Sequence, residues 1–428
     1  MLHGERNAMK TAEAVVLAAG RGTRMNSAKP TALHEVAGRP IIDWMLTALE
    51  GCAQVPPVIV DSAAGKIAAH VGGRARIAVQ EEPRGEVDAL RTALAKIDGD
   101  GLILVLFGNL PLLETAYLEA AVGAAERDGA ALLVSADEET SEMNACGVYC
   151  FEGALLREAL EACAPEDELS ACLQTMREQG TEAHELLVGQ ASLPTVVDRK
   201  SLSLCEALAN AAIVERHLES GVTMIDPNSV RIGADVTIGR DTVLWPNVIL
   251  TGKTAIGEGC VIKSGCQLND TRVGNDCTFT YVFANGAEVG NRVTAGPFVN
   301  LRPDTRIADG CKIGDFVEVK NSNVGEGTKL PHLSYIGDAD VGSGVNVGCG
   351  CVFVNYDGYA KHRTTVGNDV FLGCQTNLVA PVTVGDGAYT AAGSTITHDV
   401  PAGAMAFARA RQSNKEGYVE KFRSLKKK

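Results

Sequence analysis

The sequence predicts two folds in series. An α/β unit with a mostly parallel sheet covers residues 1–200 and a parallel β-helix covers residues 222–428, with a helix over 201–221 between them. Two observations carry this. Up to about residue 200, short apolar runs alternate with stretches at helical spacing, the pattern of βαβ units. From Arg231 onward, an aliphatic residue followed by glycine recurs at sixfold spacing, the mark of a parallel β-helix. Length agrees: 428 residues are too many for one ordinary core, and two domains of roughly 200 residues each are expected.

In the first unit the alternation runs through "AEAVVLAAG" (12–20), "IIDWMLTALE" (41–50), "PPVIV" (56–60), "VDALRTALAKI" (87–97), "LILVLF" (102–107), "TAYLEAAVGAAERDG" (115–129) and "ALLVSA" (131–136). The run 102–107 reads as a fully buried strand that stops at Gly108, setting Asn109 at its carboxyl end, where open α/β sheets bind ligands. A carboxylate there holds a metal ion beside a phosphate; the neutral carboxamide of Asn109 is a much poorer partner for Mg²⁺. "VVLAAGRGTRM" (15–25) is a strand followed by a glycine-containing loop, whose backbone N–H groups suit phosphates and whose Arg21 and Arg24 suit their charge.

The segment "LCEALANAAIVERHLESG" (204–221) carries apolar residues at Leu204, Leu208, Ala211 and Leu218 and ends in a glycine stop. It reads as one amphipathic helix joining the two units. Beyond it come the hexad pairs, such as Ile232-Gly233 with Ile238-Gly239, Val341-Gly342 with Val347-Gly348, and Val366-Gly367 with Leu372-Gly373. Each aliphatic side chain fills a triangular coil, and glycine is expected to allow the tight corners. "NYDGYAKHR" (355–363) interrupts the hexads and must leave the coil, as functional loops do.

A formal charge of −14 excludes a general nucleic-acid surface, which relies on clustered Lys and Arg; small anions can still be held by a few local cations. Thirteen cysteines without regular spacing, and no signal peptide, point to a reducing cytoplasm. Neither Cys146 with Cys150 nor Cys349 with Cys351 has the second pair that a zinc site requires. No apolar run approaches the roughly 20 residues that span a bilayer.

The stretch from Leu17 to Leu46, with "KPTALHEVAGRPIIDWML" completing it, resembles the opening of sugar-phosphate nucleotidyltransferases. Taken with the β-helix behind it, nearly the full chain resembles the bacterial bifunctional family that acetylates glucosamine-1-phosphate and uridylylates the product. The resemblance implies a Rossmann-like nucleotidyltransferase domain, a left-handed β-helix of hexapeptide repeats, and a trimer with acetyl-transfer sites between neighbouring β-helices. It places Leu17, Ala18, Ala19, Gly20 and Gln80 against a uridine nucleotide. Several positions depart from that family. Pro30 is followed by Thr31 instead of lysine, and Lys29 lies on the wrong side of the proline. "GEVD", beginning at Gly85, adds two carboxylates near an anionic ligand. The family's metal-binding aspartate is Asn109. Its sugar-binding stretch shrinks to "DEETS" (137–141), with Asn144 alone recognisable. Uridylyl transfer is therefore expected to be lost, because the α-phosphate charge has neither lysine nor metal carboxylate to neutralise it. One rescue pairs Asn109 with Asp198 as exchanged Mg²⁺ ligands; the other reading of Asp198 is a charge preceding the helix.

In the second unit the family's pattern stands almost complete. A histidine with a pKa near 6.5 suits removal of a proton from an amine at neutral pH, which makes His332 the candidate general base for acetyl transfer from acetyl-CoA. Arg302, Lys320 and Lys361 lie on separate coils that stacking brings to one surface, where they suit the phosphate of an amino-sugar phosphate. Tyr335 and Asn346 are candidates to orient sugar hydroxyls. By resemblance Cys349, Asn355, Tyr356, Cys374, Ala392 and Arg409 border acetyl-CoA, with Cys374 standing where the family usually has serine. The tail "KFRSLKKK" reads as a solvated basic end. Two alternatives remain open: an enzyme that keeps both activities with altered metal ligation, and a non-catalytic nucleotide sensor or scaffold.

Overall fold

The computed structural model describes residues 12–426 apart from 21, 51, 54, 137–142, 190 and 191. Arg21 and the shortened "DEETS" stretch therefore lie outside the described residues. The chain divides into two compact units, Met1–Ala212 and Ile213–Lys428.

The first unit is built on a seven-stranded sheet. From one edge its order is Arg76–Gln80, Val58–Ser62, Glu13–Leu17, Leu102–Phe107, Met143–Glu152, Gly129–Ala136 and Glu182–Val188. Every neighbouring pair is parallel except those made by Met143–Glu152, which runs antiparallel to both of its neighbours. Leu102–Phe107 is central and its first five residues are buried, as an apolar run covered on both faces should be. The last strand escaped the sequence reading because "EAHELLV" is mostly exposed, which suits an edge. Helices Glu86–Leu94, Gly153–Ala162 and Leu169–Glu178 supply Val87, Leu90, Leu156, Leu160, Leu173 and Met176 to a common core with Val15, Val60 and Val105 of the strands. Strand order reverses between Glu13–Leu17 and Leu102–Phe107, and that switch point opens a crevice at their carboxyl ends.

The expected helix runs Arg199–Glu219, and the division between the units falls within it; it starts ahead of Leu204. The reason is a cap: the Asp198 carboxylate accepts the Ser201 N–H and hydroxyl, both at 2.8 Å, which satisfies an orphan donor of the first turn.

The second unit is a stack of triangular coils. Its short strands form three parallel sheets of eleven, ten and nine strands, in keeping with the left-handed β-helix of hexapeptide proteins. Interior positions such as Ile232, Ile262, Leu268, Val319 and Leu372 are buried. Glycines such as Gly252, Gly259, Gly327 and Gly344 take left-handed corners as expected, but the glycine that follows each aliphatic residue has another role. A Cβ on Gly257 would stand 2.7 Å from the Gly274 carbonyl of the next coil, so the glycine is required by close approach of stacked backbones. Further left-handed corners fall to Asp241, Asn247, Asp276, Arg292 and Asp369, whose short polar members tolerate that conformation.

Cysteines use the interior as small donors. In one column Thr242, Cys260, Cys277, Cys311 and Thr328 donate to the carbonyls of Gly257, Gly274, Gly290, Gly325 and Gly342 at 2.8 to 3.1 Å. A thiol thus substitutes for a threonine hydroxyl, and all thirteen cysteines are free. Among the described residues no helix is long and apolar enough to cross a membrane.

Candidate active site

In the first unit the crevice is a cleft of about 650 Å³. Leu17, Ala18, Ala19 and Gly20 line one side, and Gln80, Gly85 and Asn109 line it as well. Gly108 donates to the Leu17 carbonyl at 2.9 Å, and a Cβ there would come 2.8 Å from that of Ala18, so the two strand ends meet without a side chain between them.

The polar groups of this cleft are largely spent on the protein itself. Gln80 is buried and donates its amide to Asp88 at 2.8 Å and to the Gly85 carbonyl at 3.3 Å; Asp88 also pairs with Arg84 at 3.0 Å. The start of helix Glu86–Leu94, a place where free N–H groups attract anions, is covered by the loop 164–168. Val87 and Asp88 donate to the carbonyls of Asp167 and Pro165 at 3.2 and 3.3 Å, and Leu169 donates to the Glu86 carboxylate at 3.0 Å. A Cβ on Gly85 would sit 2.5 Å from the Pro165 carbonyl. Burial raises the Glu86 carboxyl above its ordinary pKa. Thr31 packs against Gly22, whereas Lys29 pairs with Glu35 at 3.4 Å on the exposed surface and does not line the cleft.

Asn109 donates its side-chain amide to the Val196 carbonyl at 3.2 Å, and its own carbonyl accepts the Val196 N–H at 2.9 Å. Its Oδ1 is buried without a partner. Asp198, the proposed exchange partner, spends its carboxylate on Ser201, whose N–H and hydroxyl lower its pKa; Val197 lines the cleft and Asp198 does not. Asn144 is exposed beside Ser135 on the sheet and is not part of the cleft lining. No group of three His, Cys, Asp or Glu converges among the described residues. Mg²⁺ favours carboxylate oxygens, and a neutral Oδ1 beside a committed helix cap does not fit that requirement.

The second unit gathers its candidates differently. Asp338, buried, is a hub: it accepts from Asn321 at 2.6 Å and from Asn355, and Lys320 Nζ lies 3.6 Å away. Asn355 also donates to the Tyr335 hydroxyl at 3.3 Å. The Tyr335 phenol lies against Gly337, where any Cβ would collide with it. Arg302 pairs with Glu318 at 2.8 Å. Lys361 stands beside Lys320, which together with burial and Arg302 lowers the Lys361 pKa against the pull of Asp338. Three cations thus share one site with the Asp338 and Glu318 carboxylates, and of the three only Lys361 is pushed below its ordinary pKa, whereas those of Lys320 and Arg302 are raised.

Lys361 arrives on the predicted excursion. One coil here spans 17 residues, whereas the Ser343–Asn368 contact to the next coil spans 25; the extra chain is a pinned hairpin. Tyr356 bridges Lys361, Asp357 accepts the Tyr359 and Ala360 N–H groups at 2.8 and 2.7 Å, and Arg363 grips Asp340 with two nitrogens.

His332 is exposed, with Nδ1 2.6 Å from Asp315 on the coil before it. It lies in a column of corners. Gly350 donates to the His332 carbonyl at 3.4 Å, Gln375 to that of Cys349 at 2.7 Å and Gly393 to that of Cys374 at 2.8 Å. His332, Cys349, Cys374 and Ala392 therefore stack on successive coils, and Arg409 lies beside Gly393. Cys374 and Ala392 are exposed and Cys349 half-buried. Asn346 registers with Lys329 at the far end of the His332 strand, so it does not join the Asp338 cluster. The exposed Tyr356 bonds only within its hairpin, to Gly358 at 2.7 Å. Sequence reasoning missed Asp315, Glu318 and Asp338. Each lies 16 to 18 residues from its partner, one coil's length, which is the signal that finds them.

These features define a two-part transferase. The MobA-like NTP transferase domain family matches residues 14–183, and the bacterial transferase hexapeptide family, with six repeats, matches 235–270 and 363–398. Over almost its whole length the chain is similar to proteins named bifunctional protein GlmU. The one from Geobacillus sp. is 38% identical across 97% of this chain and 98% of its own length. Its counterpart in Carboxydothermus hydrogenoformans is 39% identical across 95% and 100%, and that of Listeria monocytogenes serotype 4a 38% identical across 95% and 98%. The chain belongs to the bifunctional GlmU family.

Proposed function

We propose that the second unit transfers the acetyl group of acetyl-CoA to the amine of glucosamine-1-phosphate, in the supply of UDP-N-acetylglucosamine for the cell envelope. The observation that carries this is the convergence of Arg302, Lys320 and Lys361 around Asp338, Tyr335 and Asn355, on the same β-helix as an exposed histidine. The cations bind the phosphate, Arg302 through its planar fork. Tyr335 faces the sugar and Asn355, hydrogen-bonded to its hydroxyl, borders both the sugar and the acyl donor, whereas Asn346 lies outside this cluster and is assigned no sugar contact. The corner column of Cys349, Cys374 and Ala392, with Arg409 and the Tyr356 hairpin, accommodates the acyl donor along small exposed side chains.

Acetyl-CoA supplies the acetyl group as a thioester. His332 takes a proton from the attacking amine as the N–C bond forms and the C–S bond breaks; the products are the N-acetylated sugar phosphate and CoA. The coils associate as a homotrimer, a reading supported by the exposed apolar ladder of Tyr281, Phe298, Phe316 and Leu333 on successive coils.

In the first unit, uridylyl transfer is lost. Support comes from the Asn109 amide tied to Val196, the Asp198 carboxylate used as a helix cap, and the loop 164–168 seated on the helix start. A second reading keeps this activity, favoured by the unpartnered Asn109 Oδ1 and the open cleft. Mass spectrometry of products from the purified full chain tests both. Acetyl-CoA with glucosamine-1-phosphate is expected to yield the N-acetyl product, and UTP, Mg²⁺ and N-acetylglucosamine-1-phosphate to yield no pyrophosphate. Absence of the first product overturns the acetyl-transfer reading, and turnover in the second overturns the loss.

A further inference from the structure

His332 and Asp315 hold opposed register positions on adjacent parallel strands, with the carboxylate oxygen 2.6 Å from Nδ1. Backbone geometry enforces the pair. Leu333 donates to the Asp315 carbonyl at 2.9 Å, and the preceding Gly314 receives the Pro331 carbonyl where any Cβ would collide with it. The two coils are thus drawn together beside the two side chains. An ionised carboxylate only accepts hydrogen bonds, so the neutral ring must carry its proton on Nδ1 and leave the lone pair on Nε2. Among the described residues Nε2 has no protein partner. The hydrogen bond from His332 lowers the Asp315 pKa, which keeps the acceptor charged at neutral pH. The other titratable groups on the neighbouring segments are Lys312 and Lys329 on the two strands, Cys349 on the coil above, and Tyr335 beyond the corner.

We propose that Asp315 is the positioning residue of the acetyl-transfer site: it fixes the His332 tautomer and stabilises the imidazolium that forms when Nε2 takes the amine's proton. The proposal rests on His332 being the base. An orienting carboxylate acts through the imidazole and leaves substrate contacts alone. Its removal therefore acts on kcat and spares KM.

The test uses the full chain with acetyl-CoA and glucosamine-1-phosphate. Asp315→Ala is expected to lower kcat about tenfold, with KM for both substrates and the melting temperature of the second unit unchanged. Asp315→Asn keeps the shape but loses the charge, and its amide N–H can donate to Nδ1 and hold the ring proton on Nε2, so kcat is expected to fall at least as far as in Asp315→Ala. Wild-type kcat in Asp315→Ala or in Asp315→Asn, or a loss confined to KM, overturns the proposal. His332→Ala separates the two levels. If it retains acetyl transfer, the base assignment fails; if it is inactive while Asp315→Ala is unimpaired, the base stands and the role of Asp315 falls.

Discussion

Asp338→Asn probes the charge at the centre of the sugar-phosphate pocket without changing its shape. In the wild type two asparagine amides and the Lys320 ammonium converge on this buried carboxylate. Burial pushes its pKa up, but the hydrogen bonds from Asn321 and Asn355 and the charges of Lys320 and Lys361 outweigh that, and the net shift is downward. A hydrogen bond to a charged acceptor contributes roughly 1.5–3 kcal/mol and one to a neutral acceptor roughly 0.5–1.5. Neutralising the acceptor of two such bonds therefore costs about 2 kcal/mol. For a unit of this size that is a fall in melting temperature of about 4–8 °C. A carboxyl with a depressed folded pKa contributes stability above its unfolded pKa, near 3.9, and loses it as the pH falls through the folded value. The gap between wild type and variant is thus full at pH 7 and closes below about pH 4. Calorimetry at pH 7, 5 and 3 measures it. No gap at pH 7, or an equal gap at pH 3, refutes the account of Asp338 as an ionised hub.

Lys361→Met removes the least comfortable of the crowded cations; KM for the sugar phosphate is expected to rise about tenfold, with that for acetyl-CoA unchanged in steady-state kinetics. Gly337→Ala drives a methyl group into the Tyr335 phenol and breaks its contact with Asn355, so substrate affinity should fall while His332→Ala remains the more damaging change to kcat. Cys311→Val deletes the donor to the Gly325 carbonyl at 3.1 Å and should destabilise by about 1 kcal/mol, whereas Cys311→Thr, which keeps a donor, should be near neutral in the same denaturation series. Asn109→Asp puts a carboxylate against the Val196 carbonyl in place of a donated N–H. It is expected to cost about 1–2 kcal/mol and to restore no pyrophosphate release from UTP.

Asn109 illustrates how far the residues speak by themselves. Its place at the carboxyl end of a buried strand was legible, because an apolar run of that length that ends at glycine has few other structures open to it. What its amide does was not, since Val196 lies 87 residues away. Asp198 reads as a charge preceding the helix or as a metal ligand, and its use as a helix cap is seen only when Ser201 is found on its carboxylate. Glycine was expected at tight corners and takes several of them; the clearance it also gives between coils was not legible, because that leaves no local trace in one strand. Along the β-helix, periodicity by itself determined the coil and the inward face, as a strict repeat sets which side chains fill the interior. Local composition likewise determined the excursion at 355–363. Only the tertiary structure decided which polar side chains meet across coils. The pairings of Asp315 with His332, Glu318 with Arg302 and Asp338 with Lys320 span 17, 16 and 18 residues, and because the coil length varies within that range, the sequence does not say which residue of the next coil a side chain meets.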